Sequence, residues 1–156
     1  MSKFLDNTAA SATLHCLTGC AIGEITGLII GEILGLSTVV TIALAVTLAF
    51  IFGYSLSLLP LLKAGITLTT AMGTVLAADT LSIATMEVVD NAVMTIIPGA
   101  MGAGVVNPVF WLSMSLALTA AFFAAYPVNR YLLNRGKGHA LIHKYHKKEG
   151  HSHHGH

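Results

Sequence analysis

Glu24, Glu32, Asp79, Glu87 and Asp90 stand in stretches that are otherwise apolar. A charged carboxylate at the middle of a bilayer costs roughly 2.5–3.5 kcal/mol on insertion scales. The basic residues that could pair with them lie elsewhere: Lys3, Lys63, Arg130, Arg135, Lys137, Lys144, Lys147 and Lys148 all fall outside those stretches. The acids are therefore protonated, face water or bind cations, and each resolution points to proton or cation chemistry. The plain structural alternative is a neutral Glu24 or Glu32 hydrogen-bonding across a helix interface. It accounts for one such residue more readily than for all of them.

Sulfur and imidazole recur beside the acids. Cys16, Cys20 and Glu24 form an i, i+4, i+8 row, which is one face of a helix. His15 precedes the row and points about 100° away. Further on, Met72, Asp79, Met86, Asp90 and Met94 fall in one narrow helical stripe, with Glu87 at its border. Thiolate with thioether favours soft ions such as Cu(I), or Zn(II) where carboxylate and imidazole complete the shell. The ordinary alternative makes methionine an adaptable core filler and cysteine a small packing residue. Near the C-terminus, His139, His143 and His146 share a helical face, and His151, His153, His154 and His156 follow. Histidine-rich tracts read as metal-binding by composition. A basic tail lying on anionic lipid is the competing reading.

The expected metal donors are thus His15, Cys16, Cys20, Glu24, Asp79, Met86, Glu87, Asp90, Met94, His139, His143 and His146. Copper is the expected ion, with zinc or another transition metal as alternatives. By depth they form a ladder. The tail histidines lie on one side, with His15, Cys16 and Cys20 at the same end. Glu24 and Asp79 come near the middle, and Glu32, Met86, Glu87, Asp90 and Met94 approach the far face. Several weak sites in series let an ion enter and also leave.

Long apolar elements must carry these residues. The chain has 156 residues, 10% charged residues, net charge +1 and a mean hydropathy of +0.76. This is a membrane composition in one domain. Spans are expected over residues 10–34, 38–59, 64–97 and 105–126, separated by a turn at 35–37, by Pro60 and Lys63, and by the glycine-rich loop 98–104. The third is too long for an ordinary span. One straight helix would reach about 50 Å against a hydrocarbon core of ~30 Å. A tilted, bent helix is favoured over one broken near residues 77–80, where Asp79 would cap the second half. Tyr126 and Pro127 are expected to close the fourth span, and Trp111 to mark an interface. The fold class is an all-α membrane protein of four transmembrane helices: residues 1–127 form the transmembrane domain and 128–156 a basic, histidine-rich cytoplasmic tail. The N-terminus lacks the pattern of a cleaved signal peptide.

Gly19, Gly23, Gly27, Gly31 and Gly35 recur every fourth residue of the first span. In water each interior glycine would cost about 1 kcal/mol relative to alanine. In lipid a small-residue groove admits another helix closely. It offers a seam for a second copy or for a partner in a larger membrane complex. Four spans put both termini, the Lys63 connection and every Lys and Arg on one side. The positive-inside rule makes that side the cytoplasm.

Other classes are disfavoured. No glycine-rich phosphate loop with a following Lys-Ser or Lys-Thr occurs, nor any His-Glu-x-x-His or Glu-x-x-His pair. Ser57, Ser82, Ser113 and Ser115 have no base at a recognisable spacing, so no enzyme is expected. The basic tail is too weakly charged to argue for nucleic acid, and membrane lipid is its expected partner.

The segments HCLTGCAIGE, MEVVDN, PVNR and GHALIHKYH resemble a family of small bacterial integral membrane proteins catalogued as a domain of unknown function. The resemblance covers nearly the whole chain. It implies a helical protein of the bacterial inner membrane and carries no activity with it. The residues therefore set the functional expectation: a membrane protein that binds copper or another transition metal and transports or delivers it. The alternatives are an accessory subunit packed through the glycine seam, and a proton- or cation-coupled carrier.

Overall fold

The computed structural model describes residues 2–135. His139, His143, His146 and the other tail histidines lie outside the described residues. The described chain is four helices: α1 (Ser2–Ile33), α2 (Thr38–Lys63), α3 (Leu68–Ile96) and α4 (Pro108–Asn134). Each is long and apolar enough to cross a membrane. A multi-pass, all-helical membrane architecture follows, because a lone helix satisfies its backbone internally where lipid cannot.

The third span is neither broken nor 34 residues long; it is one unbroken helix of 29 residues. The excess length belongs to its neighbour. α2 runs through Pro60 to Lys63, and residues 64–67 make the turn, with Gly65 at φ 78°. Asp79 lies inside α3 and caps nothing.

Pro60 is tolerated for a specific reason. It has no N–H to return to the Leu56 carbonyl one turn back. The His15 ring nitrogen Nε2 stands 3.1 Å from that oxygen and takes the place of the missing donor. α4 likewise continues through Pro127 to Asn134, so residues 128–134 extend the helix rather than begin a tail. Asn107 starts α4: its side chain accepts from the Val109 N–H at 3.0 Å, and Pro108 takes the first helical position.

The glycine row meets α2 of the same chain. A Cβ at Gly19 would collide with Gly53, at Gly23 with Leu48 and Ala49, at Gly27 with Ala45 and at Gly31 with Thr41. The numbers rise on one helix as they fall on the other, so the two backbones touch as an antiparallel pair over three turns. The seam is therefore filled internally and is not open to another protein. α4 brings its own small row, Ala117, Ala121 and Ala125, all fully buried. It also supplies a polar bridge, in which the Asn129 amide donates to Thr13 Oγ1 at 2.9 Å. Beside that bridge Arg130 pairs with Asp6 at 3.0 Å. The described basic residues, Lys3, Lys63, Arg130 and Arg135, sit at the end where α1 and α3 begin.

Candidate functional site

α1 and α3 start from the same end and run parallel, so residues one turn apart on each meet level by level. Cys16 neighbours Ser82 and Asp79. One turn on, Cys20 faces Glu87. One turn further, the Glu24 carboxyl adjoins Asp90, with Glu87 beside them. The row on α1 has thus found the stripe on α3.

This alignment revises the expected depths. Asp79 is level with His15 and Cys16, not with Glu24. Met86, Glu87 and Asp90 lie level with Cys20 and Glu24 rather than towards the far face. Asp79 and Asp90 are separated by about 16 Å along the helix at ~1.5 Å per residue. Asp79 is half-buried beside Ser57, with the His15 ring nearby.

Glu24, Glu87 and Asp90 are 5%, 5% and 2% exposed. No hydrogen bond reaches either carboxylate oxygen of Asp90, Glu87 Oε2 or the Ser82 hydroxyl from a hydroxyl, amide or cation of the described residues. The carboxyls of Glu24 and Asp90 have each other, and a proton or a cation between them is what could join them. Asn91, which might have served Glu87, donates to its backbone carbonyl at 2.9 Å instead. A buried acceptor left without a donor costs about 1–3 kcal/mol, and more when charged.

The sulfurs divide into two places. Cys16, Cys20 and Met86 pack in one buried cluster with Ile83, Ala121 and Ala125. Met94 belongs to a second, with Phe110 and Met114. Both cysteines are free thiols. Met72, which shares the stripe, lies on the exposed part of α3. Among the described residues no three His, Cys, Asp or Glu side chains converge closely enough to surround a metal ion. The expected donors therefore form a row and not a single coordination sphere.

Glu32 stands apart from the acid group. It is exposed, and its Oε2 accepts from the Val105 N–H at 3.1 Å. Its other oxygen fills the space where a Cβ on Gly104 would fall. It fastens the 97–107 connection to the end of α1. Trp111 holds the same connection from α4, donating its ring N–H to the Val105 carbonyl at 2.8 Å.

Ser82 is the site residue that sequence reasoning passed over. Its sequence context suggests only a nucleophile without a base, yet it lies four residues before Met86 on the buried face. Asn129 and Thr13 were also missed. Neither carries a local signal, since their partners are 116 positions apart.

No curated protein matches the chain. No solved structure matches it either. A family model described as a domain of unknown function, DUF4396, matches residues 7–138, which takes in nearly all of the four helices and every described residue of the acid and sulfur row. The chain belongs to the DUF4396 family.

Proposed function

We propose that this protein carries a cation through the membrane, and that Glu24, Glu87 and Asp90 are where the ion and protons exchange. The observation that carries the reading is Asp90. It is almost wholly buried, no hydroxyl, amide or cation of the described residues reaches its oxygens, and its one polar neighbour in hydrogen-bond reach is a second acid, Glu24. Carboxyls serving only as interhelical glue would each find a hydroxyl or an amide. Compensation by a bound cation or proton is the remaining way to hold acids in such a place. Exchange then needs no further group, since each arriving positive charge displaces a proton.

The experiment uses the lipid-soluble reagent dicyclohexylcarbodiimide, which modifies protonated carboxyls inside membranes. Purified full-length protein is treated with and without Na⁺, Zn²⁺ or Cu⁺, and the modified peptides are located by mass spectrometry. Modification of Asp90 or Glu24, suppressed by one of these ions, supports the reading. Modification that none of them suppresses removes it.

A second reading, a copper-handling protein, is favoured by the sulfur cluster. Cys16, Cys20 and Met86 are packed together one turn from the acids. Two thiolates and a thioether suit Cu(I), and the carboxylates nearby could take the protons the thiols release. His139, His143 and His146 would capture the ion before it enters. Replacing Cys16 and Cys20 by serine should abolish stoichiometric copper in the purified protein. Ending the chain at Gly138 should lower the loading rate alone. Unchanged copper in the double serine variant would confine the function to the carboxylates.

Under this proposal the membrane is the bacterial inner membrane and both termini are cytoplasmic, a reading that the excess of Lys and Arg at one end supports. Lipid is the immediate partner. A second copy or another membrane subunit would have to pack on a surface other than the glycine seam.

A further inference from the structure

At the end of the bundle opposite the basic residues, the 97–107 connection arches over a cleft of about 260 Å³. Its lining includes the exposed Glu32, Thr38 and Gly102, the half-buried Thr41 and the buried Met94 and Phe110. The described Lys and Arg residues are all at the other end, so the carboxylate of Glu32 gives this cleft its charge. Met94 lies one turn beyond Asp90 on the same face of α3, a rise of about 6 Å. Met94 and Phe110 are themselves buried. A buried, adaptable thioether thus stands in the cleft lining one turn from Asp90, whose oxygens receive no hydroxyl, amide or cation of the described residues. At the opposite end the Asn129–Thr13 bond and the Asp6–Arg130 pair hold α4 against α1.

We infer that this cleft is a cation vestibule, in which Glu32, Thr38 and Thr41 supply the first oxygen donors and the Met94 side chain is the barrier to Glu24 and Asp90. The inference rests on the reading of that acid pair as the ion's binding point. Its chemistry narrows the ligand. One carboxylate and two hydroxyls receive a partly hydrated, hard cation, and they hold it weakly enough to let it pass. Soft ions would make their first strong contact only at the Met94 sulfur.

The test follows access to Asp90 from water. Gly102→Cys is tolerated sterically, because a Cβ there meets nothing within 4 Å. Cys16 and Cys20 are buried, so a sulfonated thiol reagent reaches the new thiol selectively. Full-length G102C, before and after that modification, is treated with a water-soluble carbodiimide, and modification of Asp90 is read by mass spectrometry. The block should slow it about tenfold, a barrier increase near 1.4 kcal/mol. Met94→Ala, without the block, should speed it several-fold. Rates indifferent to both changes would overturn the vestibule, even where Na⁺, Zn²⁺ or Cu⁺ still protects Asp90 from the lipid-soluble reagent; the binding point itself would then stand. Rates that respond to both, with no protection by any ion, would show a route for reagent but not for a cation, and would overturn both.

Discussion

At the scale of single residues, the acids differ by what surrounds them and not by their chemistry. Glu32 has a backbone N–H and stays exposed, whereas Asp90 receives no hydroxyl, amide or cation of the described residues and is buried. Asp90→Asn should therefore lower cation protection about tenfold or more, in line with losing one charged ligand. The thermal midpoint should fall little, because the Asn amide can still hydrogen-bond the Glu24 carboxyl; calorimetry in detergent checks this, and a large drop would return Asp90 to a structural role. His15 makes the opposite case. His15→Phe strips the Leu56 carbonyl of its substitute donor and should cost about 1–3 kcal/mol. Pairing it with Pro60→Ala, which restores the helical N–H, should recover most of that loss. Thermal unfolding of the two single variants and the double variant measures the coupling.

At the scale of elements, the α1–α2 contact is backbone on backbone. Gly23→Leu must push Leu48 and Ala49 away, and should cost about 1–3 kcal/mol or more. Gly73→Leu, where a Cβ meets nothing, should be neutral by the same measurement. Much of this level was legible in the sequence. A glycine every fourth residue announces a close helix contact, and acids without basic counterparts announce a buried group. What was not legible depended on tertiary partners. Pro60 reads as a terminator until His15 is seen to serve the carbonyl it orphans. The partner of the glycine row could not be told from a second protein, because α2 lacks glycines except Gly53 and meets the row mostly with alanine and threonine. Asp79 reads as mid-membrane in the sequence because nothing local marks 64–67 as a turn; with α3 starting at Leu68 it falls level with Cys16.

At the scale of the whole molecule, charge is sorted by end. The described Lys and Arg gather at the end where α1 begins and α4 stops, and the cleft at the other end holds Glu32. Reporter fusions at the C-terminus and within residues 98–104 should report opposite sides of the membrane, with the C-terminus cytoplasmic. Under the proposed function, protons compete with the cation at this level. Cation affinity should weaken on acidification by about tenfold per pH unit for each proton displaced, in the range where the acid group titrates. Titrating ion protection of Asp90 against pH measures it, and a flat profile would separate ion binding from the carboxyls.

Glu24 belongs to the first half of the chain, while Glu87 and Asp90 belong to the second. α1 with α2 and α3 with α4 are two hairpins, and the four residues 64–67 are the link between them. The first hairpin is stiffened by its glycine row. Under the proposed function, a relative tilt of the hairpins would part Glu24 from Asp90 while leaving the contacts within each hairpin intact, and the Asn129–Thr13 and Asp6–Arg130 links would confine the opening to the end that holds Glu32.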